Sequence, residues 1–524
     1  MTDSAAGRRD QVVVIGAGIA GLVSALQLAE QGLAVTVVEA ASTPGGKVRQ
    51  LMVGGAAIDS GPTVFTMRWI FDQIFESVGT TLEAELRITP LPVLARHFWD
   101  DGSSLDLFAD PARSFEAVRQ FAGAAEARRF EAFGQMAKKV YAALEGPFIR
   151  SPSPTFMQMP GRLGLGGLGV LTQLGPMRSL WDSLGQHFKD ARLRQLFARY
   201  ATYCGSSPWQ APATLMLIAQ VELDGVWSVE GGMHALAKCL ARLAEARGVL
   251  FRYGCACERI ELQGGRVSGV RLTSGEQLPA GQVVFNGDAA ALRSGLLGAA
   301  VQGAVPAKVP PRSLSAVTWS LHAPTTGLAL DRHNVFFRAD YASEFKDIFD
   351  AQRLPRAPTV YVCAQDRGTG QTPAPGQPER LLCLVNAPAL GDQAKASNTP
   401  DALSPEALQV CQTTSFSLLQ RCGLTIQSGH PGERTTPTEF HQLFPATGGA
   451  LYGQATHGWM SAFARPGAQS PIPGLFLAGG SVHPGPGVPM AAMSGQQAAA
   501  ALMGSLGLTR RSPRAATSGG TLTR

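Results

Sequence analysis

Residues 12–29, VVVIGAGIAGLVSALQLA, are almost wholly apolar, yet glycines stand in them at positions 16, 18 and 21. That spacing narrows the possible folds more than any other feature of the chain. A run of roughly 18 apolar residues is at the margin of a bilayer span, but glycine costs a helix interior about 1 kcal/mol per residue. The β-branched run Val12–Ile15 suits a buried strand instead. After Gly21, the residues Leu22, Ala25, Leu26 and Ala29 recur at helical spacing, and Gly32 suits a C-terminal cap. A second strand, AVTVVEA at 34–40, then ends on Glu39. Strand, G-x-G-x-x-G turn, helix, strand and acid together make a dinucleotide-binding unit. Gly16 makes the tight turn, Gly18 admits a pyrophosphate to the backbone, and Gly21 lets helix and strand pack closely. The helix N-terminus offers its N–H groups to the anion, and Glu39 can accept from a ribose hydroxyl. A signal peptide would want a basic start, which Arg8 and Arg9 supply, and a small-residue cleavage site, which nothing supplies.

At 524 residues the chain is too long for one simple core, and two or three interleaved domains are expected. Its formal charge is +6, but the last 20 residues hold four arginines and no acid. The body is therefore nearly neutral, which argues against nucleic acid as a partner. Residues 1–10 are expected to be a flexible N-terminus and 504–524 a disordered tail. Eight cysteines, at 204, 239, 255, 257, 363, 383, 411 and 422, show no metal-ligand spacing. No metal is expected, and reduced, mostly buried thiols in a cytoplasmic protein are.

The G-x-G-x-x-G unit alone does not separate a nicotinamide from a flavin, because both carry the adenosine diphosphate it binds. The following segments do. Gly45 and Gly46 with Lys47 and Arg49, then IDSGPTVF at 58–65, offer bare backbone for an extended dinucleotide and cations for its phosphate, and no second glycine fingerprint follows. Near the other end, PGLFLAGGSVHPGPGVPMAAMSGQQAAAALM at 473–503 reads as a strand, a glycine-proline loop and a helix with Pro489 in its first turn. That is a second dipolar site, suited to a ribityl chain and the electron-rich edge of a flavin.

These motifs in combination, GxGxxG with Glu39, PGGKVR, DSGPTVF and GGSVHPGPGVPMAAMSG, resemble the bacterial carotenoid desaturase family, FAD-containing relatives of phytoene desaturase. RLRQLFARYATYCGSSPWQAPATLM at 192–216 and GVWSVEGGMHAL at 225–236 are similar to its central region, so the likeness reaches about residue 503. ARHFWDDGSSLDLFAD and RYATYCGSSPWQAPATLM most resemble the branch of the family that desaturates 1-hydroxycarotenoids at C3–C4. The resemblance implies an α/β fold: a Rossmann-type FAD-binding domain (11–90, 225–295 and 465–503) of the two-dinucleotide-binding-domain flavoprotein kind. It is interleaved with an antiparallel-sheet substrate domain and a helical, membrane-contacting subdomain (91–224 and 296–464). It places Gly16, Ala17, Gly18, Ala20 and Gly21 at the pyrophosphate and Glu39 at the adenosine ribose. Gly45, Gly46 and Lys47 then lie along the dinucleotide, Gly61, Pro62 and Thr63 near the flavin, and Gly480, Ser481, Val488, Pro489 and Met490 around its ring. Where many flavoproteins have an acid this chain has Gly480, so a ribityl contact there falls to backbone or to Ser481.

The reaction so implied removes two hydrogens beside a polyene, a hydride to flavin N5 and a proton from the adjacent carbon. It needs an apolar tunnel and placement more than acid–base pairs. His483 is the one weak candidate for proton acceptor, since a histidine in HPGPG more often fixes a turn; His97, His234 and Glu230 have weaker claims. A phytoene desaturase, a redox-neutral carotenoid isomerase and a noncatalytic flavin- and lipid-binding protein are the alternatives. No G-x-S-x-G elbow or GK[ST] loop supports a hydrolase or NTPase.

Elsewhere, residues 66–79 predict an amphipathic helix burying Met67, Ile70, Phe71, Ile74, Phe75 and Val78. Residues 93–110 predict a hairpin about Asp101-Gly102. Residues 112–200 read as helical, interrupted by IRSPSPTFMQMPGRLGLGGLG as an apolar loop, and 300–450 as an antiparallel sheet. The apolar loop is expected to meet lipid, which gives a cytoplasmic protein held peripherally at the inner, photosynthetic membrane, with a carotenoid substrate and oxygen or a quinone as electron acceptor.

Overall fold

The computed structural model describes residues 11–175, 177–370, 372–393 and 402–508. The expected flexible start and most of the expected tail, from residue 509, lie outside them. The strand Gln11–Ile15 occupies the centre of a five-stranded parallel sheet. Its neighbours are Ala34–Val38 on one side and Gln282–Phe285 on the other, with Leu250–Arg252 and Leu475–Leu477 at the edges. Both faces of this sheet are covered, so its strands read as continuous apolar runs. Val12, Val14, Val35, Val37 and Val284 pack on the helices Ile19–Glu30, Met233–Glu245 and Val488–Ser505. Val13, Ile15, Val38 and Val283 face a three-stranded antiparallel sheet through Ile260, Val267 and Val270.

The helices Ile19–Glu30 and Val488–Ser505 cross so closely that a Cβ on Gly495 would lie 2.4 Å from Ala20 O. Ser24 Oγ, 3.0 Å from Gly495 O, ties the crossing. Because each helix follows a parallel strand, both N-termini open at the same, C-terminal edge of the sheet, where ligands of such folds bind.

The second body is built on a seven-stranded sheet. In spatial order its strands are Gly432–Thr435, Ser315–Ala323, Glu379–Ala387, Val360–Ala364, His333–Phe337, Val93–Trp99 and Ser104–Phe108. The last two form the expected hairpin, turning at Gly102 with φ +85°. The sheet is mixed rather than purely antiparallel, because Val93–Trp99 joins His333–Phe337 in parallel. One face packs Val317, Trp319, Val362, Cys383 and Val385 against Leu408, Cys411 and Leu418 of the helix Pro405–Arg421. The other carries His97, His333, Tyr361, Leu384 and Thr318 in a register that alternates with that core.

The helix expected at 66–79 spans Arg68–Glu76 and buries Ile70, Phe71, Ile74 and Phe75, while Met67 and Val78 are buried just outside its ends. The apolar interruption is not a loop. Past a bulged turn at Glu145–Ile149, residues Met159–Leu174 are helical, broken at Gly164 with φ +62°. Leu163, Val170 and Leu171 lie against the helical core, and this packing outweighs the weak helix propensity of five glycines. The C-terminal helix likewise runs to Ser505, two residues into the expected tail. All eight cysteines are free. Among the described residues no helix is long and apolar enough to cross a membrane, and no acidic, histidine and cysteine group is placed to hold a metal.

The Gly495–Ala20 crossing gives a direct test of packing. Gly495→Val should lower stability by about 1–3 kcal/mol, read as an earlier midpoint in denaturant unfolding; an unchanged midpoint would contradict so close a crossing.

Candidate cofactor and substrate site

The central strand ends in Gly16, whose φ of +97° suits glycine alone without strain. The turn that follows has no room for a side chain at Gly18 or Gly21. A Cβ on Gly21 would lie 2.1 Å from Gly16 O, and one on Gly18 would lie 2.8 Å from Asn286 Nδ2. The helix Ile19–Glu30 begins with Gly18 as its N-cap, with no capping side chain and no acid in its first turn. Its leading N–H groups are thereby left for an anion, which is the fit a pyrophosphate needs. Glu39 lies just beyond the second strand, which ends at Val38. Its Oε2 accepts from Ala17 N at 2.6 Å and its Oε1 from Ala41 N at 2.8 Å. That fixes the carboxylate beside the turn with lone pairs to spare for ribose hydroxyls.

A second stretch of bare backbone lies against the first. Gly45 N donates to Ala17 O at 2.8 Å, and a Cβ on Gly46 would lie 3.2 Å from Gly18 Cα. A Cβ on Gly61 would lie 1.9 Å from Lys47 O, so the DSGPT segment is held on the same path. His234 and Asp59 brace it: His234 Nε2 is 2.8 Å from Pro44 O, and Asp59 accepts from the backbone N–H groups of Met233 and His234. His234 is thus a strut of the glycine segment. Glu230 pairs with Arg87 at the surface, 3.2 Å away.

Lys47 and Arg49, expected to neutralise phosphate, turn elsewhere. Lys47 Nζ donates to Leu451 O at 2.6 Å and lies over the Phe444 ring, and burial lowers its pKa. Arg49 donates to Thr435 Oγ1 at 2.9 Å. Both cations fasten the cofactor segment to residues 435–451 of the other body.

At the C-terminal end, the helix Val488–Ser505 has Gly487, φ +112°, as its N-cap and again no capping side chain. Val488 and Pro489 are buried in its first turn and Met490 is half-buried. Ser481 Oγ accepts from Ala289 N at 3.0 Å, so its hydroxyl helps to anchor the turn at 288–290. Gly480 contributes its carbonyl, which accepts from the buried Arg465 guanidinium at 3.0 Å. His483 is buried, and its Nε2 lies 3.0 Å from Phe148 O, with the ring edge-on to Phe148. Burial lowers its pKa to about 4. It pins the loop to the helical body, which argues against its expected role as proton acceptor.

Asn286, at the end of Gln282–Phe285, carries a role that sequence reasoning missed. Its Nδ2 donates to Gly16 O at 3.1 Å, while its Oδ1 lies 3.2 Å from where a Gly479 Cβ would be. One amide therefore spaces the two glycine loops. The only signal for it was its place directly after a strand of the nucleotide sheet.

Between these loops and the large sheet lie Thr63, Tyr203, Tyr361 and Tyr452. Thr63 Oγ1 and Tyr361 OH are 2.7 Å apart. The three tyrosines are half-buried. His97 is fully covered on the same sheet face, with Nδ1 3.1 Å from Leu105 O.

The profile of the "Flavin containing amine oxidoreductase" family matches residues 19–503. The chain belongs to that family. This oxidoreductase is 59% identical over 520 residues to "Hydroxyneurosporene desaturase" of Rubrivivax gelatinosus, covering 99% of this chain and 98% of that protein. It is 46% identical to the protein of the same name from Cereibacter sphaeroides (95% and 98% covered). It is 29% identical to "1-hydroxycarotenoid 3,4-desaturase" of a Flavobacterium species (92% and 97%). Among solved structures it resembles putrescine oxidase bound to putrescine (TM-score 0.59, 15% identity, 94% and 99% covered). An oxidoreductase from Methanosarcina mazei is similar as well (TM-score 0.57, 15% identity, 93% and 99%). These two likenesses concern the fold. The cofactor of this flavin oxidoreductase is FAD, and the paired glycine loops and uncapped helix N-termini fit it.

Gly18→Val should abolish FAD retention, because its side chain would meet Asn286 and fill the pyrophosphate path. Flavin absorbance per protein after gel filtration measures this; a yellow variant would refute the assignment.

Proposed function

We propose that this flavin oxidoreductase desaturates an acyclic 1-hydroxycarotenoid at C3–C4 in carotenoid biosynthesis. The observation that carries this reading is the 59% identity, over nearly all of both chains, to a hydroxyneurosporene desaturase. On this reading residues 11–90, 225–295 and 465–503 form the FAD-binding domain, and the five-stranded sheet draws every strand from them. Gly16, Ala17, Gly18, Ala20 and Gly21 meet the pyrophosphate, Glu39 the adenosine ribose, and Gly45 and Gly46 the extended dinucleotide, with Gly61 near the flavin. Pro62, Thr63, Gly480, Val488, Pro489 and Met490 surround the flavin.

When bound, the flavin supplies the acceptor for one hydrogen as hydride; the second leaves the adjacent carbon as a proton. The protein's own work is placement. On this reading the half-buried Tyr203, Tyr361, Leu384 and Tyr452 meet the polyene end. The Gly487 and Gly18 helix N-termini favour negative charge on the cofactor. Oxygen or a quinone then takes the electrons from the enzyme.

A polyene partitions into lipid, and one surface suits its delivery. Residues 151–177 hold no acid and one base, Arg162, which is bonded to Ser151. Met157 is 90% and Leu165 91% exposed, and Phe156 meets Trp459 edge-on at 4.9 Å, which joins a second exposed segment to the patch. Exposed apolar side chains of this kind, free of acids, fit peripheral contact with the inner membrane from the cytoplasmic side.

Mixed anaerobically with 1-hydroxyneurosporene, the enzyme should bleach its flavin and return a product lighter by two hydrogens. Unchanged spectrum and mass would sink the reading, and isomerised product of unchanged mass would favour a redox-neutral isomerase. The double substitution Met157→Asp with Leu165→Asp should cut sedimentation with phosphatidylglycerol-containing vesicles about tenfold and leave FAD content unchanged. Equal sedimentation of both proteins would exclude this patch as the membrane contact.

A further inference from the structure

The face of the large sheet turned toward the cofactor loops holds polar groups that a hydrocarbon does not need. Across it runs one register row: Thr318, Leu384, Tyr361, Val335 and His97. Tyr361 OH lies 2.7 Å from Thr63 Oγ1 and 2.7 Å from His333 Nδ1, so three side chains from separate segments form one hydrogen-bonded chain. His333 Nε2 and Thr318 Oγ1 are buried with no partner. The Arg199 guanidinium stands 5.7 Å from the centre of the Tyr361 ring and donates to Tyr203 OH at 3.2 Å. Those two atoms are closed off within the protein, and the group of this chain that is half-buried is Tyr361. An apolar ligand would leave its hydroxyl short of a partner at a cost of about 1–3 kcal/mol, whereas a ligand hydroxyl, at once donor and acceptor, offsets that cost.

The position of the chain agrees with the substrate's chemistry. In a 1-hydroxycarotenoid the hydroxyl sits two carbons from the bond that is oxidised, so whatever binds it must stand next to the flavin. Thr63 belongs to the DSGPT segment held along the cofactor path, and Tyr361 is bonded directly to it. We propose that Tyr361, held by Thr63 and His333, is the specificity-determining contact for the 1-hydroxyl of the substrate. This rests on the desaturase reading above and adds to it the residue that distinguishes a hydroxylated end group from a plain one. Burial keeps the Tyr361 phenol protonated and holds His333 near a pKa of about 3, hence neutral. The hydroxyl therefore meets two neutral side chains that can both donate and accept, while the nearby Arg199 is engaged by Tyr203.

The test compares kcat/KM for 1-hydroxyneurosporene with that for 1,2-dihydroneurosporene, the same carbon chain without the hydroxyl, with FAD content recorded for each protein. The parent enzyme should prefer the hydroxylated substrate. Tyr361→Phe should lower that preference at least about tenfold, and His333→Leu should lower it more than His333→Asn, which keeps a polar atom at the Nδ1 position. If one variant fails to hold FAD, the others carry the comparison. An unchanged preference in FAD-loaded Tyr361→Phe or His333→Leu overturns the inference, as does a parent enzyme with no preference. A parent enzyme that desaturates neither compound overturns the desaturase reading itself.

Discussion

Everything in this protein depends on how closely backbone approaches backbone at the C-terminal edge of the five-stranded sheet. Gly21 stands so near Gly16 O that a single carbon would not fit, Gly46 meets Gly18 Cα, and Gly495 meets Ala20 O. These three contacts hold the first helix on its strand, the PGGK segment on the glycine turn and the C-terminal helix on the first. With no side chain between them, two helix N-termini and two runs of bare backbone converge on one groove. A side chain at any of these points would separate the layers and remove the groove together with its dipoles.

The second body is fastened to that groove by buried polar groups rather than by apolar contact alone. Lys47 reaches Leu451 O, Arg49 reaches Thr435, Arg465 spans Tyr452, Gln454 and Gly480, and Ser60 meets Ser320. Buried cations cost desolvation energy, which lowers the pKa of Lys47 and Arg465. Hydrogen bonds to carbonyl oxygens offset part of that cost and fix direction as well as distance. Such fastening suits an enzyme that must hold a long apolar substrate at one register against its cofactor, because placement is most of what its residues contribute.

Much of the cofactor side was legible from sequence because its determinants are local. Glycine spacing, the acid after the second strand and the proline opening the last helix are each set within about thirty residues. The amphipathic helix at Arg68–Glu76 was legible for the same reason. The errors were of two kinds. The stretch after Ile149 looked like a loop because glycine and proline dominate it, yet packing of Leu163 and Val170 makes much of it helical. Lys47, Arg49 and His483 looked like cofactor or catalytic groups from their neighbours in the chain, but their partners, Leu451, Thr435 and Phe148, lie hundreds of residues away.

The sequence by itself determined the nucleotide-binding unit and pointed to the flavin, since these follow from backbone freedom and short-range periodicity, while the order in which the chain leaves and rejoins the sheet came only with the family resemblance. Only the tertiary structure decided which side chains meet between the two bodies. Asn286 becomes a spacer because parallel pairing sets its strand beside the first. Thr63, His333 and Tyr361 become one network because strand register and the path of the DSGPT segment bring three distant stretches within hydrogen-bond reach. No local pattern encodes that meeting, since each side chain alone is an ordinary residue of a loop or strand.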